Sequence, residues 1–331
     1  MVDCILKNII YWETIVEPRI KIGVSSCLLG ENVRYDGGHK LDRYLAETLG
    51  RFVQYVPVCP EVDCGLPVPR EAMHLEGDPS SPRLVTSRTH VDHTCKMLRW
   101  ADKRVAGLEK ENLCGFIFKS NSPSSGMERI KVHTAPGKVS RTGIGIFAKV
   151  FMERFPLLPV EDEGRLHDPG IRDNFIERAF VFKRWRELLA GRRTLGALVA
   201  FHTRHKLQVL AHSTRHYNET GRLVAHGKGM PVKELYDEYL RLLMEALKLK
   251  ATPKKNANVL MHMLGYFKDR LTPDEKQEVV ENIEMYRTEQ IPLIVPVTLI
   301  SHYVRKYDEP YLKVQTYLHP HPIELQLRNH V

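Results

Sequence analysis

The sequence predicts an α/β protein, with an N-terminal Rossmann-like domain on a mainly parallel sheet and a C-terminal all-helical domain. In the first half, short apolar segments alternate with helical patterns, which is the order of βαβ units around a parallel sheet. In the second half, strand signals fade and apolar residues recur at helical spacing. The change near Gly191 divides the chain into residues 1–190 and 191–331.

The N-terminal half contains four short apolar segments with the length and composition of buried strands. Three of them run directly into polar loops, the position at which parallel sheets place their functional residues. The predicted strands span residues 20–26, 52–58, 115–118 and 157–160, and the predicted helices span residues 40–50, 91–111, 144–155 and 171–190.

The C-terminal half has clear helix signals and an excess of positive charge. Residues 231–249 place leucines and a tyrosine at helical spacing, and Thr272–Glu275 forms a capping box with proline at the first helical position. Residues 191–331 hold 21 Lys and Arg against 15 Asp and Glu, which accounts for six of the net charge of +9. This charge is compatible with a nucleic-acid partner and equally with an ordinary solvated surface.

The composition is that of a globular protein, with 43% apolar and 27% charged residues. No apolar run reaches membrane-spanning length. Charged residues interrupt the first twenty positions, which argues against a secretion signal. We therefore expect a cytoplasmic protein with no membrane partner.

The cysteines are the first candidate site residues. Six are few for 331 residues, and without a secretion signal we expect free, catalytic or metal-binding thiols. Cys27 directly follows the first predicted strand and Cys59 the second, so adjacent parallel strands would bring both thiols to one sheet edge. Cys64 lies in the next loop, and serines follow the third strand at the equivalent place. Converging thiolates suit a soft metal or an iron–sulfur cluster, whereas the alternative is that these are buried small residues.

Sequence motifs add a family resemblance. Five occur in order in the N-terminal half: Ser25-Ser-Cys-Leu-Leu-Gly30, Arg34-Tyr-Asp-Gly-Gly38, Val58-Cys-Pro-Glu-Val62, Gly65-Leu66 with Pro69-Arg70-Glu71, and Lys119-Ser-Asn-Ser-Pro-Ser-Ser-Gly-Met-Glu128. With them this half resembles the domain-of-unknown-function family 523, which includes the thiouracil desulfidases. The helical half, with Phe201-His-Thr-Arg-His-Lys206 and Asn258-Val-Leu-Met-His-Met263, resembles family 1722, the YbgA-like domain.

The first resemblance implies a [4Fe-4S] cluster that three cysteines hold, with the fourth iron open to accept the sulfur of a thiolated pyrimidine. Water then replaces that sulfur without net redox change. Cys27 and Cys59 match two of the cluster ligands. A carboxylate must move protons, and Glu61, two residues after Cys59, is the candidate general acid or base.

The same resemblance supplies further candidates in the loops. Ser122 is a second catalytic candidate. Arg34, Asp36 and Arg70 are candidates for orienting the substrate, with bracing of the loops as the alternative role.

The chain departs from the family pattern at one position. That pattern ends Ser-Pro-Ser-Cys-Gly, and this chain reads Ser122-Pro-Ser-Ser125-Gly, so Ser125 stands where the third ligand is expected. A hydroxyl is a harder and less acidic ligand than a thiolate and a poorer donor to iron. Three explanations stay open: the cluster is labile or absent, Cys64 supplies the third thiolate, or the domain has another function.

The leading hypothesis is an iron–sulfur-dependent C–S hydrolase or lyase, resembling the thiouracil desulfidases, that acts on a thiolated nucleobase or a related thio compound. One alternative is a non-catalytic or cluster-less protein that binds nucleic acid, such as tRNA, through its basic helical domain. Another is a structural zinc site at Cys27, Cys59 and Cys64.

Overall fold

The structure, a computed structural model, describes residues 19–330. Cys4 and the segment in which no secretion signal is predicted lie outside the described residues. In chain order, the N-terminal elements are β1 (Ile20–Ser25), β2 (Val53–Val58), α1 (Pro60–Asp63), β3 (Met73–Glu76), β4 (Arg83–Thr86), α2 (Thr94–Leu108), β5 (Gly115–Phe118), β6 (Ile130–Ala135), β7 (Lys138–Gly143), α3 (Ile146–Arg154), β8 (Val160–Asp162) and α4 (Pro169–Ala190).

The second half of the described chain is helical, which together with the parallel sheet confirms the predicted α/β class. Its helices are α5 (Leu195–His212), α6 (Thr214–Ala225), α7 (Val232–Lys248), α8 (Pro253–Leu264), α9 (Pro273–Arg287), α10 (Ile294–Lys306) and α11 (Pro310–Lys313). The predicted capping box is present, since the Thr272 side chain accepts from the backbone N–H of Glu275 and the Glu275 side chain accepts from that of Thr272. None of the helices within residues 19–330 has the length and hydrophobicity needed to cross a membrane.

The main sheet is parallel and has the order β2-β1-β5-β8. Ser25, the last residue of β1, pairs with Val58, the last residue of β2. The loops that follow these two strands therefore leave the sheet side by side. The fourth strand begins at Val160, where the predicted segment 157–160 ends.

A second sheet, with the order β4-β3-β6-β7, is absent from the sequence-based prediction. Its strands are short or largely solvent-exposed; β7 exposes four of its six residues. They therefore lack the continuous apolar run that identifies a buried strand. Residues 40–50 also differ from the predicted helix, because Tyr44–Thr48 forms a wide π-type turn that continues into a 3₁₀ turn at Leu49–Arg51.

The loop after β5 is fixed by the start of α3. The backbone N–H of Phe147 donates to the Ser124 carbonyl oxygen at 2.9 Å, and the backbone N–H of Gly145 donates to the Gly126 carbonyl oxygen at 2.8 Å. A Cβ atom on Gly145 would lie 2.5 Å from the Ser124 carbonyl carbon and oxygen. Glycine is therefore required here so that the two backbone segments can approach each other closely.

Helix α4 joins the two halves of the chain through a shared core. Phe175 on α4 belongs to an apolar cluster with Ile22 of β1. Near the end of the helix, the Trp185 ring stacks on Tyr239 of α7 with 5.7 Å between centroids. The cluster that contains this pair also includes Phe116 of β5, so the two halves pack directly on each other. The predicted division between residues 190 and 191, where α4 ends, stays a prediction.

We expect Gly145→Ala to lower the free energy of unfolding by about 1–3 kcal/mol, because the added methyl group meets backbone atoms that must move. Gly221→Ala is the matched control, since Gly221 lies inside α6 with no atom within 4 Å of the added Cβ. Alanine favours a helix over glycine, so the control should gain about 0.5–1 kcal/mol. Urea unfolding measures both values, and a Gly145→Ala chain as stable as the native one would contradict the close approach.

Candidate functional site

The carboxyl ends of β1, β2 and β5 surround a cavity of about 370 Å³. The loop after each strand contributes side chains to its wall. Seven of the nine predicted site residues line this cavity, and two do not. The lining predicted residues are Cys27, Arg34, Cys59, Glu61, Arg70, Ser122 and Ser125, whereas Asp36 and Cys64 lie outside it.

The two thiols of the cavity are buried. Burial raises the pKa of Cys27 to about 11, although the nearby charge of Lys119 opposes this rise. Burial also raises the pKa of Cys59 to about 12, and the Glu61 carboxylate adds to the effect. The Cys59 Sγ lies 3.6 Å from Glu61 Oε2 and donates to it. Both side chains are therefore neutral thiols at physiological pH.

A chain of hydrogen bonds ends on the Glu61 carboxylate. The Ser124 hydroxyl donates to Glu61 Oε1 at 2.6 Å, and the hydroxyl oxygens of Ser122 and Ser124 lie 2.9 Å apart. The Ser122 oxygen also accepts from the backbone N–H of Ser125 at 3.1 Å. Because the Ser124 hydroxyl proton is donated to Glu61, the Ser122 hydroxyl is the donor in its contact with Ser124. The order Ser122, Ser124, Glu61 is thus a path along which a proton can move.

Two arginines bind the loops around the carboxylate. Arg70 Nη2 lies 3.8 Å from Glu61 Oε2, and Arg70 Nη1 donates to the Val33 carbonyl at 3.0 Å. Arg34 donates to Asp36 at 3.4 Å. The Gly38 backbone N–H, followed by Arg34, holds the pKa of Asp36 below its usual range. Asp36 therefore braces an exposed turn, while both guanidinium groups remain at the cavity wall.

Cys64 is turned away from the cavity. Its Sγ donates to the Glu61 backbone carbonyl at 3.2 Å, and burial raises its pKa. Ser125 is 3% exposed and lines the cavity at the third expected ligand position. Within residues 19–330, no three His, Cys, Asp or Glu side chains form a group that could hold a metal ion. Two thiols and a hydroxyl do not match the donor set of a three-thiolate cluster, and this placement does not join Cys64 to them in a zinc site.

Three polar side chains at the site were not identified from the sequence as candidates: Lys119, Ser124 and Glu163. Lys119 lines the cavity, contacts the Glu163 carboxylate and donates to the Ser120 hydroxyl at 3.1 Å. Glu163 also accepts from the Ser120 backbone N–H at 2.6 Å. The position of Lys119 directly after an apolar strand was the available signal, while Ser124 gave none that set it apart from the neighbouring serines.

Comparisons with known proteins match each half of the chain separately. The family model described as 2-thiouracil desulfurase matches residues 22–163, and that of the protein of unknown function DUF1722 matches residues 206–322. The chain is 32% identical over 158 residues to the uncharacterized protein YbgA of Escherichia coli K12. This alignment covers 47% of this chain and 94% of YbgA. It is also 30% identical over 135 residues to the uncharacterized protein YbbK of Bacillus subtilis 168, and this alignment covers 39% of this chain and 88% of YbbK.

Among solved structures, the chain is similar to a [4Fe-4S]-dependent thiouracil desulfidase, TudS, with 30% identity and a TM-score of 0.39. That match covers 45% of this chain and 95% of TudS. The family assignment depends on the two family models, one for each half of the chain, and on two curated relatives that are at least 30% identical and covered over 88% or more of their own length. The chain belongs to the 2-thiouracil desulfurase family through residues 22–163 and to the DUF1722 family through residues 206–322.

Proposed function

We propose that the N-terminal cavity binds a thiolated pyrimidine, or a related thioamide, and replaces its sulfur with oxygen by hydrolysis. One observation supports this above all: two thiols and a hydrogen-bonded carboxylate converge on a cavity inside the segment that matches the desulfurase family. The cavity, at about 370 Å³, has room for a single nucleobase.

The proposed reaction converts a thiocarbonyl and a water molecule into a carbonyl and hydrogen sulfide, so it needs neither an oxidant nor a reductant. Glu61 takes a proton from water as the water oxygen attacks the thiocarbonyl carbon. The sulfur then leaves with the bonding electrons and is protonated. The Glu61 carboxylic acid returns its proton to the departing sulfur. Cys59, a neutral thiol 3.6 Å from Glu61 Oε2, holds the carboxyl group by a hydrogen bond.

Positive side chains assist the departure of sulfur. Lys119, Arg34 and Arg70 line the cavity and offset the negative charge that develops on sulfur when the carbon–sulfur bond breaks. The Ser122–Ser124 pair holds Glu61 Oε1, so the other carboxylate oxygen is directed toward Cys59. This division of contacts orients the carboxylate for proton transfer.

The cluster implied by the family resemblance is a separate question, and the donor set argues against it. A site-differentiated [4Fe-4S] cluster needs three thiolates, and this chain supplies Cys27, Cys59 and the hydroxyl of Ser125. We therefore assign the proton transfers to the chain's own side chains. The nucleic-acid partner of the basic helical half stays a prediction.

We expect Glu61→Gln to reduce the rate of desulfuration of 2-thiouracil at least 100-fold, because the amide cannot accept a proton from water. The assay follows the loss of thiocarbonyl absorbance together with the release of sulfide, under anaerobic conditions. Glu47→Gln changes an exposed glutamate and serves as the matched control. Equal rates in the native chain and Glu61→Gln would overturn the role of this carboxylate, and a native chain without any sulfide release from thiolated pyrimidines would overturn the proposed function.

Anaerobic reconstitution with iron and sulfide tests the donor set directly. We expect the native chain to retain well below one equivalent of cluster, and Ser125→Cys to bind about four irons per chain with absorbance near 400 nm. Cys64→Ser distinguishes a chain without a stable cluster from one in which Cys64 is the third ligand. If Cys64 is directed away from the cavity, this substitution should change the iron content of neither the native chain nor the Ser125→Cys chain. A native chain that holds about four irons, and loses them in Cys64→Ser, would show that Cys64 moves in as a ligand.

A further inference from the structure

A second cavity, of about 340 Å³, lies between α4 and the helical half and is separate from the thiol site. It lies between α4, the end of α5, the loop before α8, the end of α9 and the C-terminal segment. Ala211, Ala251, Ile291 and Leu293 form apolar parts of its wall. The cavity therefore combines apolar walls with the buried polar side chains described below, as small-molecule sites do.

A buried ion pair forms part of the cavity wall. Glu177 and His212 are 5% and 1% exposed, and His212 Nε2 lies 3.3 Å from Glu177 Oε2. His212 Nδ1 lies 2.5 Å from the Leu249 carbonyl oxygen, so both ring nitrogens face acceptors. Burial alone would lower the pKa of His212, but the Glu177 charge outweighs it and raises that pKa. Gln208 donates to the other oxygen of Glu177 at 2.6 Å, which completes the binding of this carboxylate.

Arg328 has hydrogen-bonding capacity that the fold leaves unused. It is 7% exposed, and its Nη1 donates to the Tyr317 carbonyl at 2.7 Å. Its Nη2 stays 4.0 Å from Glu177 Oε1, beyond hydrogen-bonding distance. Its Nε is buried and has no hydrogen-bond partner among residues 19–330. Leaving a buried cationic donor without an acceptor is costly, so a site for an acceptor is indicated here.

A second donor faces the same cavity. The Tyr286 hydroxyl accepts from the Asn256 amide at 2.9 Å, and the Asn256 oxygen in turn accepts from the Tyr317 hydroxyl at 3.0 Å. The Tyr286 hydroxyl donates to no acceptor within residues 19–330. Arg328 and Tyr286 thus each present a hydrogen-bond donor without an acceptor along this wall. A ligand that satisfies both must carry an anionic or strongly accepting group.

The charges around the cavity limit how negative that group can be. Asp173 lies within the wall but is paired with His321 at 3.1 Å. Asp168 and Glu289 line the mouth, where Lys250 is the opposing cation. These acidic side chains disfavour a phosphate dianion, whereas a single negative charge beside Arg328 is matched.

From these observations we infer that this cavity is a binding site for a small organic monocarboxylate, whose carboxylate accepts from Arg328 and whose apolar body lies against the wall formed by Ala251 and Leu293. A planar guanidinium favours a carboxylate because two parallel hydrogen bonds can form. The site is independent of the proposed desulfuration, and most of its lining residues lie in the segment that matches a family of unknown function.

Titration calorimetry with benzoate and 3-phenylpropanoate tests the inference, with benzamide as the neutral match for benzoate and inorganic phosphate as the dianion. We expect saturable binding of a carboxylate with a Kd below about 1 mM, and binding of benzamide at least tenfold weaker. Arg328→Met, which keeps the apolar length of the side chain, should weaken carboxylate binding at least tenfold. Arg305→Met changes an exposed arginine on α10 and should leave it unchanged.

Ala251→Leu fills the cavity without touching the Glu177–His212 ion pair. It therefore tests whether the carboxylate binds in this cavity even if Arg328→Met fails to fold. It should abolish carboxylate binding while circular dichroism and the unfolding midpoint stay close to native. The inference is overturned if neither carboxylate binds saturably up to 10 mM. It is also overturned if benzamide or phosphate binds as tightly as benzoate, or if binding survives both cavity variants.

Discussion

Parallel pairing of β1 with β2 and β5 is the constraint on which the N-terminal site depends. The pairing aligns the last residues of β1 and β2, so Cys27 and Cys59 leave the sheet at the same edge. The loop after β5 then closes the third side, held by the start of α3 through the glycine at position 145. Backbone hydrogen bonds, rather than contacts among the polar side chains themselves, thus set the spacing of the site.

The sequence was sufficient for the features that depend on buried apolar runs and strand ends. The central strands β1 and β5 are evident because they are buried on both faces, and the position of Cys27 follows from the end of β1. Cys59 follows the end of β2, an apolar edge strand that is only partly buried. The second sheet could not be predicted, because its exposed strands alternate with charged residues. The role of Ser124 could not be predicted either, since its contact with Glu61 spans 63 residues of sequence and depends on how two loops meet.

Helix α4 gives the two halves a common structural element. It packs Phe175 against the parallel sheet and presents Glu177, two residues later, to the second cavity. The two family models match separate stretches of this chain, residues 22–163 and 206–322, and α4 lies between them in sequence. In this chain the apolar core is continuous between the two halves, and Trp185 of α4 stacks on Tyr239 of α7. The two halves are therefore joined by packed side chains as well as by the backbone.

The high pKa values of Cys27 and Cys59 bear on how this protein withstands air. Oxidants and alkylating agents react with thiolates, and two buried thiols with pKa values near 11 and 12 present almost none at neutral pH. Sulfenic acid and disulfide formation at these positions is therefore slow. We therefore expect chemistry that uses these two thiols in their neutral form to be less sensitive to oxygen than an exposed iron–sulfur cluster in the same cavity.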